Sequence, residues 1–312
     1  MSLLLSLLYI GLGFFILIVG GEALVRGSIS LAVRFKVKPA LIGLTIVAFG
    51  TSATELVTSL AASFKGSSDI AIGNVIGSNI FNTFAILGVT SILTVNLVEK
   101  SIFKFELPVM IFTSVLLALF VQNLVITRIE GILLIVVFVG FLIWSFIQSK
   151  APSVDTDDMK PLKYPIFDLF FLMVGIGGLI GGAELALTGA IEVGKAFGLS
   201  DRVIGITIVS AGTSLPELVT SAVAAFRGRS DIAVNNVIGS NIFNILLVAG
   251  GTATITSIPV SPTIVSSDIY WLLLSAILLP IVFWAGKLRI SKFSGFGFLI
   301  LFFSYMGLLL LR

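Results

Sequence analysis

Ten long apolar segments, separated by short polar stretches, run along the 312 residues of the chain. They fall at about residues 3–26, 43–64, 70–95, 103–122, 129–148, 165–190, 203–226, 232–256, 268–286 and 293–311. An α-helix needs about 20 apolar residues to cross a lipid bilayer. The pattern therefore predicts an all-α polytopic membrane protein with ten transmembrane helices.

The second five segments repeat the first five at a distance of 162 residues. Residues 43–82 and 205–244 align without a gap, and 28 of the 40 positions are identical. We therefore expect a first five-helix repeat at 1–148, a linker at 149–164 and a second repeat at 165–312. Five is an odd number, so the second repeat enters the membrane from the opposite side. This predicts two inverted repeats, an arrangement typical of secondary transporters.

The composition agrees with a membrane protein, since 57% of the residues are hydrophobic and 11% are charged. The chain has no cysteine and no histidine, which excludes disulfides, thiolate metal sites and imidazole ligands for zinc or haem. The first twenty residues lack the positively charged start of a secretory signal, and they have a counterpart in the second repeat. We expect them to form the first helix of the mature protein.

The distribution of lysine and arginine predicts the orientation. Alternate loops carry fourteen of the nineteen basic residues, and the polar linker belongs to this basic set. Basic residues accumulate on the cytoplasmic side of membrane proteins. We therefore expect the linker in the cytoplasm and both termini outside, in the cell (inner) membrane. The net charge of +3 is explained by these basic loops and does not indicate nucleic-acid binding.

Two glutamates, Glu55 and Glu217, lie at matching positions inside the second and seventh apolar segments. An ionised carboxylate in the bilayer core costs several kcal/mol unless it is paired. No lysine or arginine lies within nine residues of either glutamate along the chain. A mobile cation or a proton has to neutralise them, which indicates an ion site. The alternative is a protonated glutamate that hydrogen-bonds between helices.

Each glutamate follows a Gly-Thr-Ser sequence, and Pro216 precedes the second glutamate. Glycine and proline favour an interrupted helix, which frees backbone carbonyl oxygens for ions. Hydroxyl groups three and four residues before a glutamate lie on the same helix face. The candidate hydroxyl ligands are Thr51, Ser52, Thr213 and Ser214. A helix contact rich in serine and threonine is the alternative.

The third and eighth segments carry polar residues at a spacing of four, which places each set on one helix face. These residues are Asn74, Ser78 and Asn82 in one segment and Asn236, Ser240 and Asn244 in the other. Neutral oxygen donors suit hard cations such as Na⁺ or Ca²⁺. We take Ser78, Asn82, Ser240 and Asn244 as ligand candidates, with close packing at the Gly-Ser pairs as the alternative. Asn79 and Asn241 lie off the stripe and are expected to brace helices.

The remaining acids are expected to play structural roles or to tune transport. Glu22 and Glu184 occupy matching positions late in the first and sixth segments, where they either brace the helix or tune transport. Asp69 and Asp231 begin the third and eighth segments, and a carboxylate at a helix start is most simply a cap or a partner of the helix dipole.

The paired motifs GTSATE and GTSLPE, followed by GNVIGSNIFN and NNVIGSNIFN, resemble the alpha-1 and alpha-2 repeats of the cation/Ca²⁺ exchanger superfamily. They look most like those of the prokaryotic sodium/calcium exchangers. The resemblance implies ten helices around a mid-membrane site, with Glu55 and Glu217 as the central acids. It also implies ligands from Thr51, Ser52, Thr213, Ser214, Ser78, Ser240 and Asn82, and from backbone carbonyls near Ala48 and Ser210. The first and sixth helices would slide across the core to alternate access.

Two departures from the family pattern bear on this implied site. Thr54 stands where relatives often have proline, so a softer break is expected in the second helix. Asn244 stands where well-known sodium/calcium exchangers have aspartate, which leaves two carboxylates. Two negative charges balance one Ca²⁺ or two Na⁺, so the usual three-to-one coupling does not carry over directly. The proton-coupled branch typically has Gly-Asn-Ala before its glutamate, and Gly-Thr-Ser here favours sodium coupling.

The sequence thus predicts an antiporter that exchanges Na⁺ for Ca²⁺ by alternating access at a mid-membrane site of oxygen ligands. Alternatives are a Ca²⁺/H⁺ antiporter, an exchanger of another cation and a passive cation channel. An enzyme is not expected, because the chain has no cysteine or histidine and its acids at mid-depth are glutamates rather than paired aspartates. The expected partners are Na⁺, Ca²⁺ and membrane lipid, with no cofactor and a monomeric protein.

Overall fold

The computed structural model describes residues 2–94, 96–97, 100–148, 161–199, 208 and 210–311. Within these residues the regular secondary structure is helical apart from four two-residue strands. The helices are α1 (Leu3–Phe35), α2 (Pro39–Phe64), α3 (Ser68–Leu93), α4 (Glu106–Asn123), α5 (Arg128–Gln148), α6 (Pro165–Ala196), α7 (Leu215–Phe226), α8 (Ser230–Ile255), α9 (Ile264–Ala285) and α10 (Lys292–Leu310). A one-turn helix, Ser210–Thr213, precedes α7.

Nine helices of the described ranges, all except the shorter α7, are long and apolar enough to cross a membrane. The prediction of an all-α membrane protein is therefore confirmed. Residues 203–207 and 209 of the seventh apolar segment lie outside the described residues, as do residues 200–202 before it and residues 149–160 of the linker.

The first helix is longer than predicted, since it continues past residue 26 to Phe35. Arg26, the last residue of the predicted segment, lies within the helix, and its guanidinium lies over the ring of Phe171 on α6, 5.7 Å from the ring centroid. Lys36 ends the helix in a left-handed conformation with φ 54°. The predicted end of the first helix was therefore nine residues too early.

Helices α1 and α6 pack backbone against backbone along much of their length. A Cβ atom added at Gly182 would lie 2.8 Å from both the carbonyl oxygen of Gly13 and the amide nitrogen of Leu17. A Cβ atom at Gly175 would meet the amide nitrogen of Leu24 at 2.6 Å. Small residues allow this close approach of membrane helices, so α1 and α6 form one unit.

Helices α3 and α8 lie at the centre of the molecule and are the most deeply buried of the candidate spans. Their apolar residues form the main core together with residues of α4, α5, α9 and α10. Helices α2 and α7 pack against α3 and α8, and the α1–α6 pair covers one side of this core. The polar stripes of α3 and α8 are thereby brought into the interior beside α2 and α7.

Two short antiparallel strand pairs join loops from the two halves of the chain. Strand β1 (Asn96–Leu97) pairs with β4 (Arg289–Ile290), and β2 (Val125–Ile126) pairs with β3 (Ile258–Pro259). Strands β1 and β2 precede and follow α4, so the two pairs lie at opposite ends of that helix.

An acidic residue that the sequence analysis did not single out anchors α6 to α1. Asp168, only 1% exposed, accepts hydrogen bonds from the Ser30 hydroxyl and from the Arg34 guanidinium, with which it forms an ion pair. Nη2 of Arg34 donates to the carbonyl oxygen of Leu162 at 2.8 Å, and the Leu162 amide donates to the Ser30 hydroxyl at 2.7 Å. The described end of the linker is therefore attached to α1.

Replacing Asp168 by asparagine is expected to destabilise the protein by about 2 kcal/mol, because Arg34 then loses the charge of its buried partner. Glu22→Gln is the matched control, since Glu22 pairs with Arg227 and their side chains are 35% and 61% exposed. An exposed ion pair contributes about 1 kcal/mol or less. Thermal unfolding in one detergent compares the two variants. Equal losses of stability in the two variants would show that the buried Asp168–Arg34 pair stabilises the protein no more than the exposed Glu22–Arg227 pair does.

Candidate ion-binding site

The interruption predicted beside each glutamate is present in both repeats. In α2, a π-helical stretch, Gly43–Val47, is followed by one regular α-helical turn. Ser52 then departs from helical geometry, with φ −74° and ψ 2°. Ser214 does the same before α7, with φ −95° and ψ 10°. Glu55 and Glu217 lie in the first turn of the continuing helices.

The two interruptions differ in their backbone hydrogen bonds. The Ser52 amide keeps a helical bond to the Ala48 carbonyl at 2.9 Å, whereas the Ser214 amide bonds to Ala211, three residues back, at 3.2 Å. Pro216 also lacks the amide that would continue the ladder. The break is therefore softer in the first repeat, as expected from Thr54 in place of proline.

The two halves exchange hydrogen bonds between their serines and glutamates. Ser52 Oγ donates to Glu217 Oε1 at 3.3 Å, and Ser214 Oγ lies 3.1 Å from Glu55 Oε1, to which it can donate. The two carboxyl groups are neighbours across this contact. Both glutamate side chains are fully buried. Two acidic groups separated by 162 residues thus meet in one polar cluster.

Helices α3 and α8 extend this polar cluster. Ser78 Oγ lies 3.0 Å from Ser214 Oγ, and Ser240 Oγ lies 3.4 Å from Thr51 Oγ1. Asn82 lies in one π-helical stretch, Phe81–Ile86, and Asn244 begins another, Asn244–Ala249. Such stretches occur often at functional sites. The sequence pattern did not predict them.

Several polar atoms of the cluster and of the polar stripes on α3 and α8 are buried without a hydrogen-bond partner in the described part of the chain. They are Oε2 of Glu217 in the cluster, and both amide atoms of Asn82 and Asn244 on the stripes. A buried polar group without a partner is costly, and an unpaired buried charge is more so. Carboxylate, amide and hydroxyl oxygens are the donors that Na⁺ and Ca²⁺ favour. The residues present therefore fit a desolvated hard cation as cargo.

The electrostatics of the cluster rest on two acids. Neither glutamate forms an ion pair with lysine or arginine among the residues that the structure describes, in contrast to Glu22, Asp168 and Asp231, which do. Over the same ranges, no group of three His, Cys, Asp or Glu side chains is placed to hold a metal ion. The cluster thus combines two carboxyl groups with neutral oxygen donors.

The structure places the predicted site residues as follows. Nine side chains lie buried at the interrupted helices and the polar stripes: Thr51, Ser52, Glu55, Ser78, Asn82, Thr213, Ser214, Glu217 and Ser240. Asn244 is equally buried. The Ala48 carbonyl accepts from the Ser52 amide and from the Thr51 hydroxyl at 3.2 Å. Ser210 begins the one-turn helix before Ser214, and its side chain lies outside the described residues.

Thr54 contacts the cluster although the sequence analysis treated it only as a departure from proline. Its hydroxyl lies 2.8 Å from Glu55 Oε2 and 3.0 Å from the Thr213 carbonyl oxygen. A hydroxyl there can bridge the two interrupted helices, which proline cannot do. The position directly before an in-span glutamate was the signal that could have identified it.

The flanking asparagines brace the cluster. Asn74 donates to Ser59 Oγ at 3.0 Å and accepts from the Thr213 hydroxyl at 3.1 Å. Asn236 donates to Ser221 Oγ at 3.0 Å, at the position matching the Asn74–Ser59 contact. Asn241 donates to the Thr83 hydroxyl at 2.9 Å, in agreement with its predicted bracing role, whereas neither amide atom of Asn79 has a hydrogen-bond partner among the described residues. These amides hold α3 and α8 against their neighbours.

The remaining acids that the sequence analysis considered have partners outside the cluster or are exposed. Glu22 pairs with Arg227, while Glu184 is exposed on α6. Asp69 accepts from the backbone amide of Ser261 at 3.1 Å, and Asp231 pairs with Arg229. Asp69 thus ties α3 to the loop before α9, in addition to its position in the first turn of α3.

Comparisons with known proteins show the family to which the chain is related. A family model described as "Sodium/calcium exchanger protein" matches residues 5–147 and 167–311. The chain is 35% identical over 316 residues to the putative antiporter CaxA of Alkalimonas amylolytica, covering 98% of this chain and 99% of that protein. It is 32% identical over 279 residues to the sodium/calcium exchanger MaX1 of Methanosarcina acetivorans, covering 77% and 80%.

A solved structure is similar over the same length. The sodium-calcium exchanger NCX_Mj, in a crystal soaked with zero Na⁺ and Ca²⁺, superposes with a TM-score of 0.85 at 31% identity. The match covers 99% of this chain and 100% of that one.

Proposed function

The chain belongs to the sodium/calcium exchanger family, and from this premise we propose that it exchanges Na⁺ for Ca²⁺ across the membrane by alternating access. The observation that carries the proposal is the cross-paired cluster, in which Ser52 reaches Glu217 and Ser214 reaches Glu55. Each half supplies one carboxyl group and the hydroxyl that meets the other half's carboxyl group. Such a site depends on the relative position of the two halves.

The proposed architecture is ten transmembrane helices in two inverted repeats. Contacts between the halves recur at positions 162 residues apart, which supports this arrangement. Gly20 approaches the backbone of Leu179, and Gly182 approaches that of Leu17. Strand β1 pairs with β4 at one end of α4, and the matching strand β3 pairs with β2 at the other end. A two-fold axis in the membrane plane places matching contacts of the two repeats at opposite ends of the molecule, as these strand pairs are.

The proposed ligands are the twelve residues of the sequence analysis, with Glu55 and Glu217 at the centre. Both carboxylates have to be ionised to balance one Ca²⁺, and two Na⁺ provide the same charge. Na⁺ and Ca²⁺ compete for these two charges, and this competition couples their transport. The protein changes from one open side to the other at a lower free-energy cost when the charge of the site is balanced. Carbonyls near Ala48 and Ser210 would complete the ends of the site.

The moving part in this proposal is the α1–α6 unit. Its two helices pack against each other through backbone contacts, and the unit covers the core that contains α3 and α8. Sliding of this unit would expose the cluster to one side at a time. The proposed orientation is the one that the basic residues predict, with both termini outside the cell. We also propose that the protein is a monomer in the cell membrane.

The test is Ca²⁺ uptake into proteoliposomes under an opposing gradient. We expect uptake when Na⁺ is loaded inside and removed outside, and at least about tenfold less when a pH gradient replaces it, a free-energy difference of about 1.4 kcal/mol. A Ca²⁺/H⁺ antiporter would show the reverse order. A channel would pass Ca²⁺ without any counter-ion gradient, so Na⁺-free vesicles at equal pH serve as the control.

A further inference from the structure

A cavity of about 450 Å³ lies apart from the glutamate cluster, where the ends of α2, α4 and α5 meet. Helix α2 contributes its first residues, the short 3₁₀ helix Lys100–Phe103 and the start of α4 form a second wall, and the last turn of α5 forms a third. None of the residues assigned to the ion site lines it. Its volume is in the range of about 300–1,000 Å³ that small-molecule sites occupy.

The cavity is basic. Its described lining includes three lysines, Lys38, Lys100 and Lys104, and one carboxylate, Glu106, so its net charge is positive. The side chains of Lys100 and Lys104 are exposed and can turn toward a ligand. Lysine ammonium groups are good donors to phosphate oxygens.

The cavity also contains a buried hydroxyl group without a partner. Ser145 is only 4% exposed, lines the cavity, and its Oγ has no hydrogen-bond partner among the described residues. Most buried hydroxyl groups in proteins are hydrogen-bonded. A ligand with acceptor oxygens would satisfy this one. The amides of Gln148 and Asn235 line the same cavity.

The position of the cavity matches the headgroup region of a membrane. It lies at the ends of three candidate spans, Pro39–Phe64, Glu106–Asn123 and Arg128–Gln148. Trp144 lines it and is half exposed, as is typical of tryptophan at a membrane interface. Ile143 and Ile147, on the same turns of α5, are exposed apolar residues. A ligand here would have a charged group among the lysines and apolar surface beside it.

We propose that this cavity binds the phosphodiester headgroup of an anionic membrane phospholipid. The phosphate oxygens accept from the ammonium groups of Lys100 and Lys104 and from the hydroxyl of Ser145, and the acyl chains lie along the exposed apolar face of α5. Basic pockets between helices at the cytoplasmic surface bind such headgroups. Because the cavity joins the start of α2 to α4 and α5, the lipid stabilises the cytoplasmic end of the helix that carries Glu55.

The test measures thermal unfolding of the full chain in nanodiscs. In phosphatidylcholine with added phosphatidylglycerol, we expect the midpoint to rise by about 5 °C over phosphatidylcholine alone. The variant Lys100→Gln/Lys104→Gln should lose most of this rise. The control, Lys287→Gln/Lys292→Gln, removes two exposed lysines that flank β4, the partner of the strand preceding Lys100, and should keep it. Ser145→Ala should keep the midpoint in phosphatidylcholine and show a smaller rise.

Two further measurements distinguish a lipid phosphate from free phosphate and detect lipid binding independently of thermal stability. Inorganic phosphate added to the phosphatidylcholine nanodiscs should leave the midpoint unchanged, and a full rise with it would overturn the lipid assignment. Native mass spectrometry should find phosphatidylglycerol on the wild type and the control pair, and far less on Lys100→Gln/Lys104→Gln. No rise in the wild type, or an equal rise in both lysine pairs, would sink the proposal.

Discussion

Replacing Glu55 or Glu217 by glutamine is expected to reduce Na⁺-driven Ca²⁺ uptake by at least about 100-fold, a free-energy change of about 2.7 kcal/mol. Glutamine keeps the shape of the side chain and removes one of the two negative charges on which the site depends. The remaining charge cannot balance Ca²⁺ in a buried site. Both variants should fail equally, because each carboxyl group meets a hydroxyl from the opposite repeat.

Two controls separate loss of transport from loss of folding. Glu184→Gln removes a carboxylate from a candidate span, but Glu184 is exposed on α6, so uptake should stay within about twofold of wild type, about 0.4 kcal/mol. The thermal midpoints of Glu55→Gln and Glu217→Gln should equal or exceed that of the wild type, since one of two neighbouring acids has been neutralised. Wild-type uptake in either glutamine variant would falsify the proposed central site.

The sequence was sufficient to predict the features that rest on local pattern or on repetition. Helix-length apolar segments predict spans because the bilayer allows few other structures. The repeated Gly-Thr-Ser before Glu55 and Glu217 indicated an interrupted helix, and both interruptions are present at Ser52 and Ser214. Duplication made these predictions stronger than one copy would allow, since a chance polar residue has no counterpart.

Features that depend on distant partners were missed or misjudged. Asp168 was not singled out, because only the fold shows that Ser30 and Arg34 bind it from 138 and 134 residues away. The first apolar segment was predicted to end at Arg26, whereas the helix continues to Phe35 and Arg26 lies over the ring of Phe171 on α6. Thr54 is informative only once the Thr213 carbonyl is known to face it. Single-sequence periodicity carries no information about such contacts.

The packing of the α1–α6 unit gives the second large effect. Gly182→Leu is expected to destabilise the protein by more than about 4 kcal/mol, above the usual range of about 1–3 kcal/mol for overpacking. The Cβ atom alone would lie 2.8 Å from backbone atoms of Gly13 and Leu17. Backbone atoms cannot rotate away as a side chain can, so α1 and α6 have to separate.

Gly181→Leu is the matched control on the adjacent residue. A Cβ atom there meets nothing within 4 Å, and Gly181 is exposed. Because leucine favours helices over glycine by up to about 1 kcal/mol, Gly181→Leu should be neutral or slightly stabilising. Thermal unfolding measures the difference, and uptake assays on any folded fraction show whether separating the helices also stops transport. Similar midpoints for the two variants would mean that the backbone contact does not hold the pair together, and α1 and α6 would then not move as one body.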